Sequence, residues 1–194
     1  MAPRGFTLFD TPIGPCGLVW GERGVAGVQL PETNERSTRA RVVKRFPDAR
    51  EAPPPAAMTK VIGRIVALLN GKRTDLSDIP LDMDGMEDFN RRVYQAALRI
   101  PPGKTLTYGE IAAQIGERGP GAAQAVGQAL GRNPIPVIVP CHRVLAANGK
   151  TGGFSAPGGV ATKLRLLAIE NASRGSEPTL FDWAEHPAKV LPSR

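Results

Sequence analysis

Cysteine and histidine each occur only twice in the 194 residues, as Cys16, Cys141, His142 and His186. So few, and without companions at ligand spacing, they form neither a disulfide framework nor a metal-ligand pattern, which suits a reducing, intracellular setting. Long apolar runs are also missing. No stretch approaches the roughly 20 residues needed to cross a bilayer. The opening Met1-Ala-Pro-Arg-Gly-Phe6 leads into alternating residues rather than the apolar core of a signal peptide. A soluble, cytosolic protein with no membrane contact is therefore expected. Acidic residues are scarce in one half. Residues 86–171 carry 10 Lys/Arg against 5 Asp/Glu, whereas residues 1–85 carry 12 against 10, within a net charge of +7. Solvated surface charge is the simpler account of any one of these cations, but a basic half points to a polyanionic partner through steering and counterion release.

What is present centres on Asn133-Pro-Ile-Pro-Val-Ile-Val-Pro-Cys-His-Arg-Val144, an apolar run that ends abruptly in Cys141-His142-Arg143. A cysteine on an apolar strand is usually a small core residue. Here one of two cysteines adjoins one of two histidines, and an imidazole beside a thiol helps to form the reactive thiolate at neutral pH. Cys141 is the candidate nucleophile. Cys16, at a turn with no histidine nearby, reads as structural.

Along the chain, Phe6–Phe9, Gly17–Trp20 and Val25–Leu30 read as a small antiparallel meander punctuated by Gly14-Pro15 and Glu22-Arg-Gly24. Ser37 to Phe46 reads as a solvated helix with cations all round, and Ala52-Pro-Pro-Pro-Ala56 as a stiff connector. Val61, Ile62, Ile65, Val66 and Leu69 mark a helix capped by Gly71, and Leu76–Met83 alternates like one more strand. These residues, 1–85, are expected to form a small α/β domain of antiparallel sheet and helices.

Residues 86–171 read as mainly α-helical. Phe89, Val93, Ala96, Ala97 and Ile100 share one helical face. Thr107-Tyr-Gly-Glu110 matches a capping box at the start of a short helix, and Pro120 suits the first position of a second, which Gly131 ends. Helix, turn, helix in a basic context suggests a helix-turn-helix of winged-helix type. Ala122, Ala123, Ala125, Gly127 and Ala129 leave the second helix nearly free of bulk, with Gln124 its long polar side chain. The usual partner for such a face is another helix; a nucleic acid groove is the sharper reading. Gly152–Gly159 forms a flexible loop without phosphate-loop spacing, and Val160, Leu164, Leu167 and Ala168 mark a last amphipathic helix. Residues 172–194 read as a tail in which Phe181 and Trp183 dock.

Pro140-Cys-His-Arg-Val144, preceded by Gly131-Arg-Asn-Pro-Ile-Pro136, resembles the active-site signature of the O6-alkylguanine-DNA alkyltransferases. The likeness runs from Phe89 to Glu170, through Ile100-Pro-x-Gly-x-x-x-Thr-Tyr108, Ala-x-x-Val-Gly127, Gly153-Phe-Ser155, and Lys163 with Leu166-Leu-x-x-Glu170. It implies direct DNA repair without cofactor or metal. The first half would be a ribonuclease-H-like domain. A monomer would bind double-stranded DNA through the minor groove, flip an O6-alkylguanine, or an O4-alkylthymine, from the stack, and move the alkyl group irreversibly onto Cys141. The resemblance implies His142 as base through a water, Glu170 orienting it, and Asn133 fixing the turn that presents Cys141. Tyr108, Phe154, Ser155, Val144 and Lys163 would meet the substrate. Gln124, Ala122, Ala123, Arg118 and Arg132 would meet DNA, while Arg143 braces the turn.

The chain also departs from the family. Gln124 stands where relatives place an arginine that fills the gap left by the flipped base, Phe154 stands for a common tyrosine, and some relatives' N-terminal zinc ligands are absent. Two other readings compete. One is a non-enzymatic lesion sensor, against which Cys141 argues. The other is a cysteine hydrolase, for which no oxyanion loop is legible.

Overall fold

The computed structural model describes residues 4–171; the tail with Phe181 and Trp183 lies outside them. Strands β1 (Arg4–Phe9), β2 (Cys16–Gly21) and β3 (Gly24–Gln29) form where alternation and turn residues place them, with Phe6 opposite Val19 and Leu18 opposite Val28. A fourth strand, β4 (Ala49–Glu51), pairs parallel to β1, so the sheet is mixed, in the order β3-β2-β1-β4, and not purely antiparallel. Three residues are too few for periodicity to mark. The strand expected at Leu76–Met83 is a single bridge from Leu81 to Val25. Pro80 has no amide to give, and its carbonyl accepts the Val25 N–H.

Helix α1 (Glu35–Arg45) starts at Asn34, whose side chain accepts the Ser37 amide at 2.8 Å. It lays Val42 into a small cluster with Phe6, Val19, Ala26 and Ala49. Phe46, just past its end, lies across Gly27, where an added Cβ would come within 2.2 Å of the ring. Helix α2 (Ala56–Leu69) follows the prolines and buries Met58, Val61, Ile65, Leu68 and Leu69. The larger core runs without a break from Leu18, Trp20 and Val28, through α2, to Val93, Ile111, Val126 and Cys141. The two halves of the chain thus share one apolar interior.

In the second half, α3 (Asp88–Leu98) packs on α4 (Tyr108–Gln114) and α5 (Ala122–Gly131), which also pack on each other. The capping box forms as read: Thr107 and Glu110 each take the other's backbone amide. Pro120 does not open α5, which begins after Gly121 at φ +88. Gly131 is the last residue of that helix and Arg132 its cap. Ala129 is fully buried under Tyr94, whose hydroxyl donates to its carbonyl at 2.9 Å, so the bare face comprises Ala122, Ala123, Ala125 and Gly127. Short strands β5 (Leu106–Thr107) and β6 (Val144–Leu145) pair in parallel beneath α4. The last helix, α6 (Gly159–Ile169), turns Lys163, Leu166 and Leu167 inward, leaving Val160 and Ala168 exposed against expectation. A lysine on the buried face hides the true stripe. Among the described residues no helix is long and apolar enough to cross a membrane.

Gly27→Ala is expected to push Phe46 and α1 off the sheet, at about 1–3 kcal/mol of overpacking. A lowered urea midpoint with unchanged m would register it.

Candidate active site

One side chain closes the loop ahead of Cys141. Asn133 donates to the Val139 carbonyl and accepts the Ile135 amide, both at 2.9 Å. Between these contacts Val137 sits at φ 74, a left-handed conformation that costs a β-branched residue roughly 1–3 kcal/mol. The sheet holds the same loop from outside, with the Val28 amide donating to the Pro134 carbonyl at 3.0 Å. So braced, the chain enters a single 3-10 turn, Cys141–Arg143, in which Cys141 is 7% exposed and its amide donates to Val139 at 2.8 Å. Burial raises the Cys141 thiol above its ordinary value. Hydrogen bonding from Asn133, the Lys163 charge and the amides of Cys141 and His142 pull it back only in part. At rest it is a thiol.

Behind it lies a buried charge cluster. Glu170, at the end of α6, accepts His142 Nε2 at 2.9 Å and both Arg143 Nε and Nη2 at 2.8 Å. Arg143 Nη1 reaches the Ile100 carbonyl at 2.5 Å. Burial alone would raise the Glu170 carboxyl, but hydrogen bonds from His142 and Arg143 outweigh it and hold the group at about 2. Burial lowers His142 despite the pull of Glu170. A neutral imidazole facing an ionised carboxylate keeps its proton on Nε2, which leaves Nδ1 a free base. Nδ1 is buried without a hydrogen-bond partner among the described residues.

Cys141 opens into a cavity of about 760 Å³ between α4, α5 and the loop at 146–155, lined by Tyr108, Gln124, Gln128, Gly131, Phe154 and Ser155 among others. The loop lies close to Tyr108: a Cβ on Gly152, at φ +66, would stand 2.8 Å from the hydroxyl. Lys163, buried beneath, donates to the Val144 carbonyl at 2.6 Å and to the Tyr108 hydroxyl at 3.4 Å. Burial lowers this lysine to about 8, against the upward pull of Cys141. Ser155 donates to the Gly131 carbonyl across the mouth.

The residues read from sequence separate into three groups. Cys141, Tyr108, Phe154, Ser155, Gln124 and Ala123 line the cavity. His142, Glu170, Asn133, Lys163 and Val144 lie behind its wall; Val144 is wholly buried, and its carbonyl rather than its side chain is engaged. Ala122 is half-buried and Arg118 and Arg132 are exposed, none of the three lining this cavity. Gln128 and Thr107 also line the cavity; the sequence marks Thr107 as a helix cap and Gln128 not at all. The i, i+4 spacing from Gln124 could have found Gln128, whereas Ala146 and Ala147 carry no signal. Among the described residues no group of three or more His, Cys, Asp or Glu could hold a metal.

Comparison with known proteins fits this geometry. Residues 88–172 match the family model described as the 6-O-methylguanine DNA methyltransferase, DNA binding domain. The methylated-DNA–protein-cysteine methyltransferase of Mycolicibacterium paratuberculosis is 48% identical over 177 residues, covering 91% of this chain and 98% of the relative. The chain belongs to the methylated-DNA–protein-cysteine methyltransferase family. The Mycobacterium bovis methyltransferase is 39% identical over the same shares of the two chains. The crystal structure of Mycobacterium tuberculosis OGT in complex with DNA is 39% identical, covers 86% of this chain and 92% of that one, and superposes with a TM-score of 0.67.

In this methyltransferase family member the charge cluster has a thermodynamic signature. Glu170 is depressed from 4.5 to about 2, so its contribution is fully present above 4.5 and is lost as pH falls towards 2. The buried His142, lowered from 6.5, acts in the same direction, because the unfolded chain takes up the proton first. Unfolding free energy is expected to fall by about 3 kcal/mol through the Glu170 window alone. Glu170→Gln should abolish that part of the slope in urea unfolding measured against pH.

Proposed function

We propose that the protein repairs DNA by transferring the alkyl group of O6-alkylguanine directly and irreversibly to Cys141, once per molecule. The observation that carries this reading is a buried thiol lining a cavity roomy enough to admit a base, with a His142–Glu170 pair behind it. Family membership supplies the reaction class, methylated-DNA–protein-cysteine S-methyltransferase.

In this reading α4 and α5 act as a helix-turn-helix of winged-helix type that lies in the minor groove of double-stranded DNA. Residues 86–171 form the DNA-binding, alkyl-accepting unit, and residues 1–85 a ribonuclease-H-like domain supporting it. The protein works as a monomer in the cytoplasm. The small residues Ala122 and Ala123 let the α5 backbone approach, with Arg118 and Arg132 at the flanks. The lesion swings out of the stack at a cost on the order of a few kcal/mol, less for a mispaired base, and Gln124 takes the place it leaves. Phe154 walls the flipped base, Ser155 and loop amides hydrogen-bond O6, and Tyr108, kept protonated by burial, donates its hydroxyl.

Transfer then needs one proton moved and one bond exchanged. His142 Nδ1 takes the thiol proton through a bridging water, and Glu170 stabilises the resulting imidazolium. The sulfur attacks the alkyl carbon opposite O6; the S–C bond forms as the C–O6 bond breaks, and its electron pair stays with guanine. O4-alkylthymine presents the same reacting bond and is a second substrate in this scheme. The S–C bond of an uncharged thioether resists displacement, because a thiolate would have to leave from a neutral sulfur, so the protein is consumed.

After incubation with an O6-methylguanine duplex, intact and peptide masses should show one methyl on the peptide carrying Cys141. Cys141→Ala should lose it while still binding DNA; an unmodified Cys141 alongside tight lesion binding would sink the transferase reading. Gln124→Arg should speed repair in duplex several-fold while changing the reaction with free O6-benzylguanine little, since the free base needs no flipping. Equal acceleration of both would separate Gln124 from base extrusion.

A further inference from the structure

Cys141 is reached from a second side. A smaller cavity of about 380 Å³ shares Leu130, Gly131, Phe154 and Ser155 with the first, and its outer wall comes from the N-terminal half: Arg41 and Arg45 of α1 and Gln29 of β3, with Arg132 opposite. Some cations of that half are satisfied by a carboxylate, while others, Arg45 and Arg50 among them, bond only neutral oxygens. Arg4, Arg23, Arg39 and Arg64 each pair with a carboxylate. Arg45 bonds only neutral oxygens, Gln29 Oε1 at 2.8 Å and the Val28 carbonyl at 3.4 Å. Arg41, half exposed, has only Glu32, at a loose 3.8 Å. Arg132 has no ion pair among the described residues.

Arg41, Arg45 and Arg132 all line this concavity, and no carboxylate among the described residues does. Burial lowers Arg45, and the charge of Arg41 lowers it further. Such an arrangement is stabilised by an anion with several acceptor oxygens, and the planar fork of arginine matches a phosphate oxygen pair. The two cavities share Leu130, Gly131, Cys141, Phe154 and Ser155, so the second adjoins the cavity proposed to take the nucleotide.

We propose that Arg41, Arg45 and Arg132 form a phosphate site that grips the DNA backbone next to the flipped nucleotide, giving the N-terminal half a direct part in holding DNA. The site rests on the proposed function, because the phosphate it takes belongs to the strand whose base enters the first cavity. The family resemblance marks Arg132 as a DNA contact, whereas Arg41 and Arg45 fall outside its motifs.

The test uses the Cys141→Ala protein, which binds without reacting. Affinity for an O6-methylguanine duplex is measured with and without Arg41→Gln over a range of salt. Arg41 is exposed, and thermal melting verifies that the variant is folded. The expected result is an affinity about tenfold weaker, the effect of one lost charge-assisted hydrogen bond, and a salt slope shallower by about one. Arg41→Lys should restore part of it. Duplexes with one neutral methylphosphonate at each linkage near the lesion identify the phosphate. The Arg41→Gln penalty should vanish at one of these linkages and persist at the others. No penalty, or the same penalty on every methylphosphonate duplex, overturns the site. Failure of the transfer reading would appear separately, as an unmethylated Cys141 in the unmodified protein.

Discussion

A carboxylate removed from water must be neutralised where it lies, at a cost of several kcal/mol if it is not. The Glu170 side chain is 2% exposed, and the turn that carries Cys141 is arranged around that demand. Arg143 supplies the compensating charge in fork geometry, His142 supplies a further donor, and the Gly103 amide stands at 3.4 Å. These contacts join the end of α6, the 3-10 turn and the corner after α3. The structural requirement and the chemical one coincide. Once Glu170 is ionised and bonded to Nε2, the other imidazole nitrogen is the only place left for an incoming proton.

The same burial governs reactivity. A thiol 7% exposed and raised by desolvation does not react with every electrophile that drifts past. In the proposed reaction it becomes nucleophilic when a substrate fills the cavity and His142 takes its proton. For a protein used once, suppressing wasteful alkylation matters as much as speed. Asn133 contributes to both, by closing a loop strained at Val137 and by hydrogen bonding towards the sulfur.

Much of this was legible in the sequence, because its signals are local. The hairpin strands, the apolar stripes of α2 and α3, the Thr107–Glu110 capping box and the Cys141-His142 pair all follow from short-range rules. The family likeness added Asn133 and Glu170, which no spacing argument would join to Cys141. What escaped depends on distant partners. β4 is three residues long and exists because β1 has a free edge. Leu76–Met83 alternates but is interrupted by Pro80. Lys163 breaks the stripe of α6, since a buried ammonium satisfied by Val144 and Tyr108 looks like surface charge in one dimension. The cations of α1 read as a solvated helix, because nothing in the sequence places Arg41 and Arg45 opposite Arg132.

The outer margin of β3 has a further effect. Val25 gives its amide to Pro80 and takes the Asp82 amide in return, while Val28 gives its amide to Pro134. At the opposite margin, β4 is short and runs into three prolines. Neither border of the sheet therefore presents a long row of open backbone groups on which another extended chain could assemble. The contact that steadies the reactive loop also blunts a template for aggregation, which protects the many copies a self-consuming protein requires.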